Sequence, residues 1–232
     1  MRRATLTAIT LAVLVAGGGY LAGRFAPPRY SPLAPLDVRD DVVPLVTAVK
    51  LARARTDLDY CRRALATSAF KATPVAEISS KQCVLHDVER IAADRSPAFN
   101  AGFIATCPLA VDLALFVDHV VQLAAQRDMH SDVARIDQLG TFACRPIVGE
   151  GPTAELSQHA SANAIDIAGF TFADGEKAMV AADWQGDDAK ARFLHDVHDG
   201  ACGIFPVVLS PDFNAAHRNH FHFDLSGFHF GR

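Results

Sequence analysis

The chain has 232 residues, 50% of them hydrophobic and 21% charged, with 12 Pro and 15 Gly. That is an ordinary globular composition, which excludes collagen-like, coiled-coil and disordered classes, and a domain of about 200 residues buries a core unaided. The formal net charge is -4, from 22 Lys+Arg against 26 Asp+Glu, and no long basic run offers a footprint for a phosphate backbone, so no nucleic-acid partner is expected. The uneven features are 5 Cys and 10 His.

Residues Ala4 to Gly23 form a 20-residue stretch without a charge, preceded by Arg2 and Arg3 and followed by Arg24 and a run containing Pro27, Pro28, Pro32 and Pro35. As a helix this measures about 30 Å, enough to cross a bilayer. Tyr20, Leu21 and Arg24 interrupt the candidate small-x-small cleavage boxes, which favours a single-pass inner-membrane anchor over 1–26 above a cleaved signal peptide with a soluble periplasmic product. Either reading exports the rest of the chain, a spacer over 27–40 and a periplasmic domain over 41–232.

The five cysteines are widely spaced and make no Cys-x-x-Cys pair, the pattern of disulfides in an exported domain. The spacing does not decide the pairing. Our expectation is Cys61 with Cys83 and Cys144 with Cys202, each tying neighbouring elements, with Cys107 left as a buried thiol at the start of an apolar helix.

Helix is expected from about Val42 to Ala69, broken near Thr56 and Asp57, followed by a strand over Val84 to Ile91. From Pro108 to Arg127, Leu109, Leu113, Phe116, Val120 and Leu123 recur at spacings of four and three, which predicts a core-facing amphipathic helix with Asp112, His119 and Gln122 between the apolar positions. Short strands come next at Val133 to Leu139, Thr141 to Ile147, Ala164 to Phe170 and Lys177 to Ala182, with a turn at Asp174-Gly175. A helix over Asp188 to Asp199 stops at Gly200, and strands at Pro206 to Leu209 and Asn219 to Leu225 complete the count. Strands and helices are segregated more than they alternate, so the expected class is α+β, a mainly antiparallel sheet with flanking helices.

Chemistry concentrates in two segments. In Asn219-His220-Phe221-His222-Phe223-Asp224-Leu225 the alternation sends Phe221, Phe223 and Leu225 to the core and places His220, His222 and Asp224 together on the other face. His217 lies in the preceding turn. Earlier, Ser157 to Asp166 carries His159 and a carboxylate, Asp166, at the start of an otherwise apolar strand, where burial is costly unless something cationic meets it. One His and one Asp from this segment plus one His from the last strand make a three-ligand N and O set, which leaves a catalytic zinc its open fourth position. His195 and His198, beside Asp196 and Asp199, read as solvated, and His86, His119, His130 and His229 read as background.

The run SQHASANAIDIAGF (Ser157 to Phe170), with FLHDVHDGAC (Phe193 to Cys202), VLSPDFNAAHRNHFHFDL (Val208 to Leu225) and Cys144-Arg145, resembles the bacterial extensin-like C-terminal domain family over roughly residues 57 to 230. More distantly, the metal motifs resemble the LAS-type zinc peptidases: D-alanyl-D-alanine carboxypeptidases of the vancomycin-resistance type, penicillin-insensitive murein endopeptidase and lysostaphin. The resemblance implies a hedgehog/D-Ala-D-Ala peptidase-like fold and one Zn2+ per chain held by His159, Asp166 and His222. It makes His220 the histidine that stabilises the tetrahedral intermediate or relays a proton, and His217 an additional active-site histidine. Arg145 is suggested as the anchor for a substrate carboxylate, an exposed or salt-bridged Arg being the plain alternative.

The implied activity is hydrolysis of D-amino-acid-containing amides in peptidoglycan, by a D,D- or L,D-endopeptidase or carboxypeptidase. Three departures from the pattern stand out. Asn219 occupies the place of a carboxylate general base, Ala162 that of a Gly, and Gln158 that of a Glu; family members also often carry a Cys near the C-terminus, which accounts for the odd thiol. These departures motivate the alternative of a catalytically inactive zinc-containing peptidoglycan-binding module. A metallo-β-lactamase-like site also begins His-x-His-x-Asp, but it draws further ligands from a long downstream stretch, and only eight residues remain after Asp224.

Overall fold

The computed structural model describes residues 10–11, 13–14, 17–20, 25–80, 82–92, 94, 97–147, 155–227 and 230–231. Most of the expected anchor lies outside them. Where described, at 10–11, 13–14, 17–20 and 25, the backbone is helical, and Leu11, Val13, Leu14, Tyr20 and Phe25 are exposed. The spacer is docked rather than free: Leu36 and Val38 belong to the main core, the Val38 N–H donates to Thr67 Oγ1 at 2.8 Å, and the Val38 carbonyl lies 2.7 Å from His119 Nε2.

The first helical segment breaks where the sequence predicts. Helix α1 (Pro44–Ala54) starts with Pro at its first turn, where a missing N–H costs nothing, and α2 (Leu58–Leu65) is capped by Asp57, whose carboxylate accepts from Tyr60 N at 2.9 Å. Strand β1 (Ala72–Ser80) has no counterpart among the expected elements. It is a half-exposed edge strand containing Pro74, paired antiparallel with β2 (Cys83–Ile91), and its Pro and its lack of a buried face erase the usual strand pattern. β2 also pairs with β4 (Phe103–Thr106), completing a three-stranded antiparallel sheet.

Helix α3 spans Cys107–Met129, with two π-helical segments at Val117–Val121 and Ala125–Met129. Its N-terminal half is buried all round instead of amphipathic: every residue from Leu109 to Val117 is buried, Asp112 included. The pattern misled because α3 runs through the middle of the domain; Asp112 meets Arg55 of the α1–α2 junction at 3.0 Å.

The second sheet is mixed and mainly antiparallel, with strand order β10-β8-β9-β6-β5-β3 and β7 added to β6. Its members are β3 (Ala98–Phe99), β5 (Val133–Gly140), β6 (Ala164–Phe172), β7 (Lys177–Met179), β8 (Val207–Leu209), β9 (Phe221–Asp224) and β10 (Phe230–Gly231). One face packs on α3 and on α5 (Ala189–Ala201): Phe223 meets Phe116 and Phe205 at ring-centroid distances of 5.2 and 5.0 Å, and Phe170 meets Phe193 at 5.1 Å edge-on.

Several local expectations are corrected. Thr141 to Ile147 is irregular, forming no ladder: the Thr141 hydroxyl donates to the Ile104 carbonyl of β4 and the Ala143 N–H to the His159 carbonyl, with an isolated bridge from Pro146 to Leu156. The strand from Lys177 ends at Met179 and gives way to a short helix, α4 (Val180–Asp183), because Asp183 Oδ2 accepts from Met179 N at 2.7 Å. Gly200 is the penultimate residue of α5, which runs on to Ala201, and it does not take the left-handed conformation of a helix stop. A Cβ there would collide with Val120 of α3, so the glycine serves helix-to-helix approach instead of termination.

Both expected disulfides are wrong. Cys61 pairs with Cys107 and Cys83 with Cys144, and Cys202 is the free thiol, exposed. Packing of α2 on α3 brings Cys61 to the start of α3, and β2 runs past the loop after β5, so the bridges join elements distant in sequence. In the chain-entropy account a closure of this length is worth roughly 4 kcal/mol.

Candidate metal centre

The register of β6 on β9 builds the site. Asp166 sits directly across from His222, so their side chains share one face of the sheet while Ile165, Ile167, Phe221 and Phe223 fill the core on the other. His159 arrives from the 3-10 turn Gln158–Ser161, where Ser157 Oγ accepts from His159 N at 3.3 Å. The chain then reverses through Ala162, which is buried and holds a left-handed conformation, φ 54°. That conformation is why Gly is usual at such a position and costs an alanine about 1 kcal/mol.

His159 Nε2 and His222 Nδ1 lie 3.2 and 2.9 Å from Asp166 Oδ1 and 3.2 Å from each other. Three donors on one tetrahedral cation with bonds of about 2.1 Å would stand about 3.4 Å apart, and the observed separations fall a little short of that edge. The remaining nitrogen of His222 supports a metal further: Nε2 lies 3.0 Å from Asp224 Oδ2, and Asp224 Oδ1 accepts from Ser226 N at 2.7 Å. A neutral imidazole has one N–H and cannot satisfy a carboxylate at both nitrogens. With Nε2–H committed to Asp224, Nδ1 carries the lone pair that a cation beside Asp166 takes up. The donor set therefore fits a metal ion at His159, Asp166 and His222.

The charges of the cluster are strongly coupled. A proton and a metal ion are alternatives at His222 Nδ1: with the two carboxylates alone, burial opposes ionisation of His222, but its hydrogen bonds to Asp166 and Asp224 outweigh that and raise the ring to about 9, so a metal ion binds there by displacing that proton. Burial likewise opposes Asp166, yet the bonds from His159 and His222 hold it far below the ordinary carboxylate range. Asp224 is lowered the same way, by His222 and Ser226 against burial. His217 is pushed down to about 4 by burial and then by the charge of its histidine neighbours, and His220 is lowered by burial, partly opposed by Asp166.

The triad lies in a cleft of about 890 Å³ that also takes in His217, His220 and Arg145. His220 Nε2 is 3.7 Å from Asp166 Oδ1. Its Nδ1–H donates to Asn219 Oδ1 at 2.9 Å, and His217 Nδ1–H donates to Asn214 Oδ1 at 2.8 Å, so both rings keep Nε2 as an acceptor. Asn219 thus orients a histidine from the position expected of a carboxylate base. Arg145 enters the cleft from a loop anchored by Ser157 N to the Arg145 carbonyl at 3.1 Å. Gln158 does not reach a ligand histidine: its Oε1 accepts from Asn163 Nδ2 at 3.0 Å.

All six residues singled out from the sequence meet in this cleft. The alternation of the last strand shows Asp224 on the face of His222, but its part in orienting that ring is visible only in the structure. Asn214 carries no motif signal, and Asn219, a departure at the position of a carboxylate base, shows its bond to His220 only in the structure. Of the background histidines, His198 is buried rather than solvated, packed against Trp184 and Phe221, and His195 stacks on Trp184 with ring centroids 3.9 Å apart; His229 lies outside the described residues.

No curated protein and no solved structure matches the chain. The family model described as Extensin-like protein C-terminus matches residues 59–232, a span that contains the triad, both supporting histidines and Arg145. On that match the chain belongs to the extensin-like protein C-terminus family.

Proposed function

We propose that the protein is an exported, membrane-anchored zinc peptidase that cuts amide bonds in peptidoglycan, in the stem peptide or its cross-link, and so remodels the wall locally. The observation that carries this reading is the convergence of His159 Nε2, Asp166 Oδ1 and His222 Nδ1 in an open cleft, with Asp224 behind His222. Structural zinc sites are closed by a fourth protein ligand, whereas hydrolytic ones leave it open, and among the described residues no fourth donor joins this cluster. The motif resemblance to LAS-type peptidases and the uncharged stretch Ala4 to Gly23 supply the substrate class and the location.

Zinc held there acts as a Lewis acid toward a scissile carbonyl and makes hydroxide accessible near neutral pH. The chain's own groups do the rest. Nε2 of His220, kept unprotonated by the Nδ1–H bond to Asn219, accepts the proton of the attacking water and returns it to the leaving amine as the C–N bond breaks and the C–O bond forms. His217, similarly oriented by Asn214, offers its Nε2 lone pair to a donor at the reacting centre, the attacking water or a substrate amide N–H. The Arg145 guanidinium holds a substrate carboxylate at the cleft rim.

The test is metal analysis of the purified full chain together with mass spectrometry of muropeptides after incubation. One zinc per chain and shortened muropeptides are expected, both lost in Asp166→Ala. Wild-type protein that retains zinc and binds sacculi but leaves the muropeptides intact overturns the peptidase reading in favour of a binding module.

A further inference from the structure

Helix α1 is built inside out. Its buried stripe is Thr47, Lys50, Leu51 and Ala54, and its solvent-facing stripe, at the same i, i+3, i+4, i+7 spacing, is Leu45, Ala48, Val49 and Ala52. Leu45 is 84% and Val49 53% exposed. A surface helix ordinarily shows the reverse pattern, and an apolar outer stripe, edged by the exposed Arg53 that pairs with Asp57, calls for an apolar cover.

The way α1 is tied to the rest of the chain identifies that cover. The buried Lys50 ammonium donates to the carbonyls of Pro28 at 2.9 Å and Pro35 at 3.2 Å, and the docking continues through Leu36 and Val38. Pro28 is five residues beyond Gly23, the end of the uncharged stretch. Fully extended, that length reaches at most about 17 Å, while the polar layer on each side of a bilayer is roughly 5–8 Å deep. A span ending at Gly23 therefore keeps Pro28, and α1 tied to it through Lys50, within about 10 Å of the headgroup layer. Between them lie Phe25 and Tyr30, 77% and 51% exposed, aromatic side chains of the kind that settle at the headgroup level.

We propose that the outer stripe of α1 is a membrane-surface face: Leu45 and Val49 sit in the lipid interface and hold the domain flat against the bilayer, confining the metal cleft to substrate close to the membrane. This rests on the anchor reading of the N-terminal segment, and it adds a second contact that the anchor alone does not require.

The test uses the full chain in nanodiscs of phosphatidylethanolamine and phosphatidylglycerol, with Cys202→Ser removing the free thiol. A bimane probe is placed by Leu45→Cys, Val49→Cys or, as control, the exposed Leu139→Cys, and quenching by lipids bearing a nitroxide near the headgroup is read. Quenching several-fold stronger at 45 and 49 than at 139 is expected, with Leu45→Ser in the Val49→Cys protein reducing it. Chain retained in the disc with no such excess at 45 and 49, including shielding of both probes by a second copy or another protein, overturns the surface contact while leaving the anchor standing. Chain that fails to stay in the disc overturns both.

Discussion

The two faces of the second sheet handle buried polar groups in opposite ways. On the cleft face, Asp166 Oδ1 is approached by three histidines and a second carboxylate backs one of them. On the core face polar groups stand singly: Asp112 has Arg55, and His198 has the exposed Asp199 on Nδ1 while its buried Nε2 finds no hydrogen-bond partner among the described residues. Histidines and aspartates occur on both, so composition does not distinguish them. Convergence does: hydrogen bonds to two carboxylates raise His222 to about 9 against its burial, and bonds from two histidines hold Asp166 below the ordinary carboxylate range against its own, whereas a polar group standing singly has less to set against the cost of its desolvation.

The largest effect that could break this contrast is on metal retention. Asp166→Ala and His222→Ala are each expected to abolish stoichiometric metal in elemental analysis, while His198→Ala and His195→Ala leave it at the wild-type level; metal loss in the latter pair would make the two clusters one functional unit. Next comes Asp224→Asn, which keeps the shape but removes the charge behind His222 Nε2. Metal affinity should fall by about 10- to 100-fold in chelator competition, and an unchanged affinity would reduce Asp224 to packing.

On stability, Cys83→Ser with Cys144→Ser should cost roughly 4 kcal/mol in urea unfolding, because that bridge ties the three-stranded sheet to the loop carrying Arg145. On the core face the signature is in pH. Burial, only partly offset by Arg55, pushes Asp112 up to about 7. A carboxylate that binds its proton more tightly when folded stabilises fully below its unfolded value near 4 and loses that contribution as pH rises towards 7. Asp112→Asn lacks the slope, so wild type should lose stability relative to the variant from pH 5 to pH 8; a constant difference between them rules the titration out. The smallest effect is expected of His198→Leu, within about 1 kcal/mol, since a buried nitrogen without a partner has little to lose.

How far the chain could be read depended on the range of the interaction involved. The strand Phe221–Asp224 and its two faces were legible because strand alternation is a property of adjacent residues, and the break between α1 and α2 because Asp57 caps the next turn locally. β1 was not, since an edge strand with Pro74 and no buried face leaves no periodic trace. Gly200 was misread because a glycine needed for contact with Val120, about 80 residues away, looks in sequence like any helix stop.

The sequence by itself determined the α+β class, the family and six of the residues that line the cleft, because each rests on residue type and short spacing. Only the tertiary structure decided that Asp166 faces His222 across β6 and β9, that Cys61 finds Cys107 and Cys83 finds Cys144, that Asp112 and His198 are buried, and that α1 turns its apolar stripe outward. Strand register, helix packing and burial are set by contacts between segments far apart in the chain, and no local pattern encodes a partner that folding brings from elsewhere.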